Sequence, residues 1–111
     1  MSYTVNDFKR ALKRLEPSEG ERKFLRAHLD SPFLAATATQ LAKAAGYDGY
    51  RGVNLRYGLL GKAIAEELGS QDVNLGMLAK FIPPQALTNK DWIIIMRDEF
   101  AEALRETGWV D

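Results

Sequence analysis

Residues 38–69, ATQLAKAAGYDGYRGVNLRYGLLGKAIAEELG, constrain the fold more than any other stretch of the chain. Thr37 precedes a short apolar-periodic run, with Gln40 three residues on, which is the capping-box pattern that opens a helix. This helix is expected over Ala38–Ala45. Gly46 follows, where a residue without Cβ accepts the left-handed conformation that closes a helix. Only Tyr47, Asp48 and Gly49 separate it from a longer pattern over Tyr50–Leu68, stopped by Gly69. Two helices joined so tightly must cross steeply. Ala42 is small enough for the second helix to pack close, Gly46 lets the chain turn, and Val53 anchors the second helix from below. The stretch therefore reads as a helix-turn-helix, with a turn slightly longer than the tightest form of the motif.

At 100° per residue, Val53, Tyr57, Leu60, Ile64 and Leu68 form one stripe of the long helix, widened on one side by Leu55, Leu59 and Ala63. The remaining face holds Arg51, Asn54, Gly58, Gly61, Lys62 and Ala65 and is expected to face solvent. Arg56 falls inside the apolar arc and has to reach outward along its stem. Two internal glycines cost about 1 kcal/mol each relative to alanine. Either a second helix packs closely on Gly58 and Gly61, or that face approaches a ligand closely; the residues alone leave both open.

Helices are also expected over Val5–Leu15, where Thr4 and Asp7 form a capping box, and over Glu19–Leu29, where Ser18 and Glu21 repeat it. Gly76–Ile82 and Trp92–Met96 read as two short strands joined by a proline-containing loop, 83–90. A last helix is expected over Asp98–Thr107, with Gly108 ending it and Trp109 and Val110 folding back on the core. The expected fold is mainly α with a small β-hairpin: a winged helix-turn-helix-like single domain over 1–111, of about five helices and two strands. Its helix-turn-helix core is 38–69, its hairpin wing 76–96 and its C-terminal helix 98–107.

Composition narrows the function classes. The chain has no cysteine, which excludes a disulfide scaffold and a thiolate zinc site and suits a reducing cytoplasm. No signal peptide is read at the N-terminus, and Trp92–Met96 is too short to span a bilayer. His28 is the single histidine, on the inward edge of a helix, and is expected to be structural. No phosphate loop, dinucleotide fingerprint or metal-ligand cluster is present, and Glu66, Glu67, Glu99, Glu102 and Glu106 read as solvated helix faces. The expectation is a non-enzymatic module with no catalytic residue, metal, cofactor, small-molecule substrate or membrane contact.

Net charge is zero, but its distribution is uneven. Residues 1–62 carry 11 Lys/Arg against 6 Asp/Glu, and residues 63–111 carry 4 against 9, giving +5 and −5. A fold that keeps the halves apart has a basic and an acidic side. Arginine and asparagine can read base edges in a major groove, and glycines let a helix come close. Lys43, Tyr50, Arg51, Asn54, Gly58 and Lys62 are therefore the candidate DNA-contacting residues of the helix-turn-helix. Lys9, Arg10, Lys13 and Arg14 are candidates for phosphates, and Lys90 for a flanking groove at the wing tip. Tyr57 is expected in the core; Tyr47 and Tyr50 are open between stacking and packing.

The run Gln40–Tyr47, followed by Val53-Asn54-Leu55-Arg56-Tyr57-Gly58-Leu59-Leu60-Gly61, resembles a small bacterial module found alone or beside HNH-type nuclease domains in restriction-like proteins. The closing segment from Met96 to Val110 is similar to that module's end. The resemblance implies a winged-helix-like accessory domain facing DNA. It does not imply cleavage, because the nuclease motif needs several histidines. The expected function is binding of double-stranded DNA, regulatory or accessory to a restriction or defence system. The alternative is a protein-interaction adaptor or inhibitor, or a homodimer, using the glycine-lined face of the long helix.

Overall fold

The computed structural model describes residues 3–70, 75–85 and 90–111. Among these are five α-helices and one three-stranded antiparallel sheet: α1 (Val5–Leu12), α2 (Glu19–Leu29), β1 (Ala35–Thr37), α3 (Ala38–Ala45), α4 (Tyr50–Glu67), β2 (Ala79–Ile82), β3 (Ile93–Met96) and α5 (Asp98–Thr107). Short 3₁₀ turns cover Pro32–Leu34 and Leu75–Met77.

The helix starts follow local chemistry. Thr4, Ser18 and Thr37 each accept a hydrogen bond from the backbone N–H three residues on, and each cap's own backbone N–H donates to the side-chain oxygen of Asp7, Glu21 or Gln40. Gly46 and Gly108 close α3 and α5 at φ of 78° and 65°, where an L side chain is disfavoured. The first helix stops at Leu12 rather than the expected Leu15. Residues 13–15 tighten into i→i+3 bonds, Arg14 N to Ala11 O and Leu15 N to Leu12 O. The Trp109 indole N–H then donates to the Leu12 and Leu15 carbonyls, 3.0 Å each, and so satisfies a helix end from the far end of the chain.

The expected two strands are three. In the sheet order β1-β3-β2, Ala36 pairs with Ile94, and Ala79 with Met96. These four are buried, while Ile93 and Ile95 turn to the opposite face. Ala35–Thr37 has no strand signature because alanine is depleted in strands. It becomes one by pairing with the isoleucine-rich β3. The first expected strand also begins later, at Ala79, because Leu75–Met77 turns before it. Part of the connection between β2 and β3, residues 86–89, lies outside the described residues.

Feeding β1 requires an unusual bend. Phe33 and Leu34 both have left-handed backbones, φ 56° and 58°, a conformation that costs about 1–2 kcal/mol for a residue with Cβ. Leu34 packs against the core, while Phe33 is 95% exposed.

The core is organised around Tyr57 and His28, both fully buried. Tyr57 packs against Phe24 of α2 and Phe81 of β2, with ring centroids 5.2 Å and 5.7 Å away. His28 Nε2 lies 2.8 Å from the Ile94 carbonyl of β3 and Nδ1 lies 2.5 Å from the Tyr57 hydroxyl. A carbonyl only accepts, so Nε2 carries the proton, and the Tyr57 hydroxyl donates to Nδ1. The imidazole is thus neutral and ties α2, α4 and β3 together. Burial holds the His28 pKa below its ordinary value, opposed by the hydrogen bonds to the Ile94 and Leu34 backbone, and burial pushes the Tyr57 hydroxyl well above its own.

Two outcomes follow from this arrangement. Tyr57→Phe strips the donor from a buried ring nitrogen and should cost about 1–3 kcal/mol in urea unfolding. Because His28 takes up a proton less readily folded than unfolded, stability is full above its unfolded value of 6.5 and falls as the pH drops through the lower folded value. A thermal-melt series should show this decline beginning near pH 6.5, and the decline should be missing in His28→Gln.

Candidate functional site

The turn between α3 and α4 is built on tyrosine against glycine. The Tyr47 ring lies over Gly52, where a Cβ would come within 3.2 Å of it, and a Cβ on Gly20 of α2 would collide with its hydroxyl. It also packs 6.3 Å from Phe24. Tyr47 is therefore a packing residue that locks the turn onto α2. Tyr50, at the start of α4, stays partly exposed, with the Arg51 guanidinium 6.0 Å above its ring. Residues 46–52 of the turn and helix start, Asp48 and Arg51 among them, line an open depression of about 640 Å³ with Leu55 and Arg56.

The rotation of α4 differs from the expected one. Val53, Tyr57, Leu60 and Ile64 are buried as the periodicity requires, but Gly61 and Ala65 are buried beside them. Leu55 and Leu59, expected to widen the apolar stripe, are 61% and 47% exposed. The buried arc is set by the neighbours of α4, which are α3, the Leu75–Met77 turn and α1. Gly61 and Ala65 are on the covered side of the helix, and Leu55 and Leu59 are on the open side. A hydrophobicity wheel weights leucine over glycine and alanine, and so places the arc on the wrong side.

The candidate residues divide accordingly. Arg51 and Lys62 are exposed on the outer face of α4, and Lys43 is exposed on α3. Arg56 joins this exterior directly. Among the described residues none of these four forms an ion pair. Asn54 and Gly58 turn away from solvent and are half-buried. Asn54 Oδ1 is buried without a hydrogen-bond partner, and Asn54 lines a cleft with Phe81, Trp92 and Arg97 instead of standing on the outer face of α4.

The basic residues of α1 are drawn into the protein's own charge network. Lys9 pairs with Glu106 at 3.1 Å, Arg10 with Asp7 at 3.6 Å and Arg14 with Glu67 at 3.9 Å, while Lys13 remains exposed. Because α1 packs on α5, the basic beginning and acidic end of the chain meet rather than form opposite sides. Lys90 is exposed beside the loop between β2 and β3. Its neighbour Asp91, which the sequence reading passed over, accepts from Thr39 N at 3.2 Å and from Trp92 N at 2.7 Å. That carboxylate fastens the base of the loop to the first turn of α3, where a negative charge is favoured. Ala38 N also donates to the Trp92 carbonyl at 2.9 Å.

What remains on the exterior of α4 is Arg51, Arg56, Lys62 and Glu66 beside the exposed Leu55 and Leu59, with Lys43 exposed on α3. Among the described residues no helix is long and apolar enough to cross a membrane, and no three His, Cys, Asp or Glu side chains converge as a metal site would require. Comparison of the chain with protein-family models, with curated proteins and with solved structures found no match.

Asn54 provides a direct check on which residues face outward. Replacing a buried unpaired amide by an apolar group of similar shape removes a desolvation cost. Asn54→Leu should raise stability by about 1 kcal/mol in denaturant unfolding, whereas a solvent-facing position would show no gain.

Proposed function

We propose that this protein binds double-stranded DNA through the outer face of α4, as a winged-helix module. The observation that carries the reading is the exterior of α4 itself. Arg51, Arg56 and Lys62 stand exposed there, none of them in an ion pair among the described residues, and outnumber the exposed carboxylates beside them, Asp48 before the helix and Glu66 on its outer face. Unneutralised cations along one helix are the electrostatic requirement for a polyanion, since each phosphate contact releases counterions. Lys43 on α3 extends the same charge.

The architecture supports the same reading. A short helix and a longer one joined by Gly46–Gly49 are backed by a sheet of order β1-β3-β2, whose last two strands form a hairpin. In a winged helix the second of those helices enters the major groove and the hairpin acts as the wing. Asp91 holds the base of the hairpin loop to the first turn of α3, and its exposed neighbour Lys90 is in keeping with a contact from the wing. The resemblance carried by Gln40–Tyr47 and Val53–Gly61, to accessory modules of restriction-like proteins, is in keeping with such a role.

The adaptor reading requires the glycine-lined face of α4 to receive a partner helix. Gly61 is buried within the protein and Gly58 is half-buried, so we favour the nucleic acid. The proposal leaves out Lys9, Arg10 and Arg14, whose charges are already paired.

Fluorescence anisotropy of a labelled duplex, titrated across a salt series, tests the reading. Log affinity should fall linearly with log salt. Arg51→Ala and Lys62→Ala should each reduce that slope by about 1 while leaving thermal stability unchanged. Lys9→Ala and Arg14→Ala should change it less. Absence of binding to any duplex at low salt overturns the proposal.

A further inference from the structure

The exposed leucines on α4 need an explanation that the cations around them do not supply. We infer that α4 selects duplexes by contacting thymine methyl groups in the major groove through Leu55 and Leu59, an inference that rests on the DNA-binding reading above. The two side chains are 61% and 47% exposed, lie four residues apart and so share one face. Arg51 and Lys62 border them on one side and Arg56 on the other, and the exposed Glu66 lies a turn beyond on the same face.

A leucine offers no donor or acceptor, so it cannot read a base edge by hydrogen bonding. The apolar group that an unmodified base presents in the major groove is the C5-methyl of thymine, and apolar side chains recognise it by contact. Residues four apart rise about 6 Å along a helix, and successive base pairs rise about 3.4 Å. An α4 lying along the groove therefore sets the two leucines about two base pairs apart. They sit in the first three turns of α4, the part of a recognition helix that reaches base edges. Asn54 is not available for adenine, because its carbonyl oxygen is buried. Discrimination then falls to the leucines, with the flanking cations holding phosphates.

The charge pattern argues against a second copy of this chain as the occupant. A two-fold contact places each patch against itself. Arg51, Arg56 and Lys62 of one copy would then approach the same three cations of the other, with Glu66 the carboxylate that this face sets against them. A polyanion carrying methyl groups matches both components of the surface.

The test compares an alternating A·T duplex with the same duplex carrying uracil for thymine, which deletes the methyl and preserves the hydrogen-bonding edge. The wild-type protein should prefer the thymine duplex by roughly fourfold for each methyl contacted, and on the order of tenfold for the pair. The double variant Leu55→Ala, Leu59→Ala changes only exposed positions. It should bind both duplexes alike, at the wild-type affinity for uracil and with an unchanged salt slope. Equal wild-type affinity for the two duplexes overturns the thymine inference and leaves duplex binding standing. So does a thymine preference that survives in the double variant. If neither duplex is bound at low salt, both readings fall together.

Discussion

The neutral imidazole of His28 is the contact on which the arrangement of elements depends. It joins three parts of the chain that no local interaction connects: its own helix α2, Tyr57 on α4 and the Ile94 carbonyl on β3. A buried polar group without partners is costly, so a structure that satisfies both ring nitrogens tolerates few other arrangements of these elements. The aromatic rings of Phe24 and Phe81 close around the same tyrosine and supply the apolar contact that a hydrogen bond alone lacks.

The orientation of α4 follows from that anchor. With Tyr57 directed at His28, Gly61 and Ala65 turn inward with it. Arg51, Leu55, Arg56, Leu59 and Lys62 are left outside. The chemical character of the candidate surface is therefore a consequence of core packing. The internal glycines, which weaken an isolated helix, belong to the packing side of this account.

Electrostatics shows the same dependence on three-dimensional neighbours. The chain is basic at its beginning and acidic at its end, but α1 lies on α5, and Lys9 meets Glu106. Surface pairs of this kind contribute little to stability, yet they remove charge from the field available to a ligand. Among the described residues Lys43 of α3 and Arg51, Arg56 and Lys62 of α4 are in no ion pair, and neither are Lys13, Arg22 and Arg26. A zero net charge thus coexists with a locally positive surface.

Local chemistry along the chain was enough to place the three capping boxes, the glycine stops at 46 and 108, the span of α3, the burial of Tyr57 and the return of Trp109 to the core. Each depends on residues within a turn or two, or on a side chain too large and apolar to leave in water. Ala35–Thr37 escaped that reading because alanine has no strand preference of its own and gains one from β3. The outward face of α4 escaped it because periodicity locates an apolar arc only to within the width of a leucine row. Which of two flanking rows is covered depends on the segments that pack there, and those come from elsewhere in the chain. The pairing of Lys9 and Arg14 and the placement of Asp91 against α3 depend likewise on contacts between distant residues. Tertiary packing therefore decided which cations and leucines reach solvent, since exposure belongs to a residue's neighbours in space and its identity only to the chain.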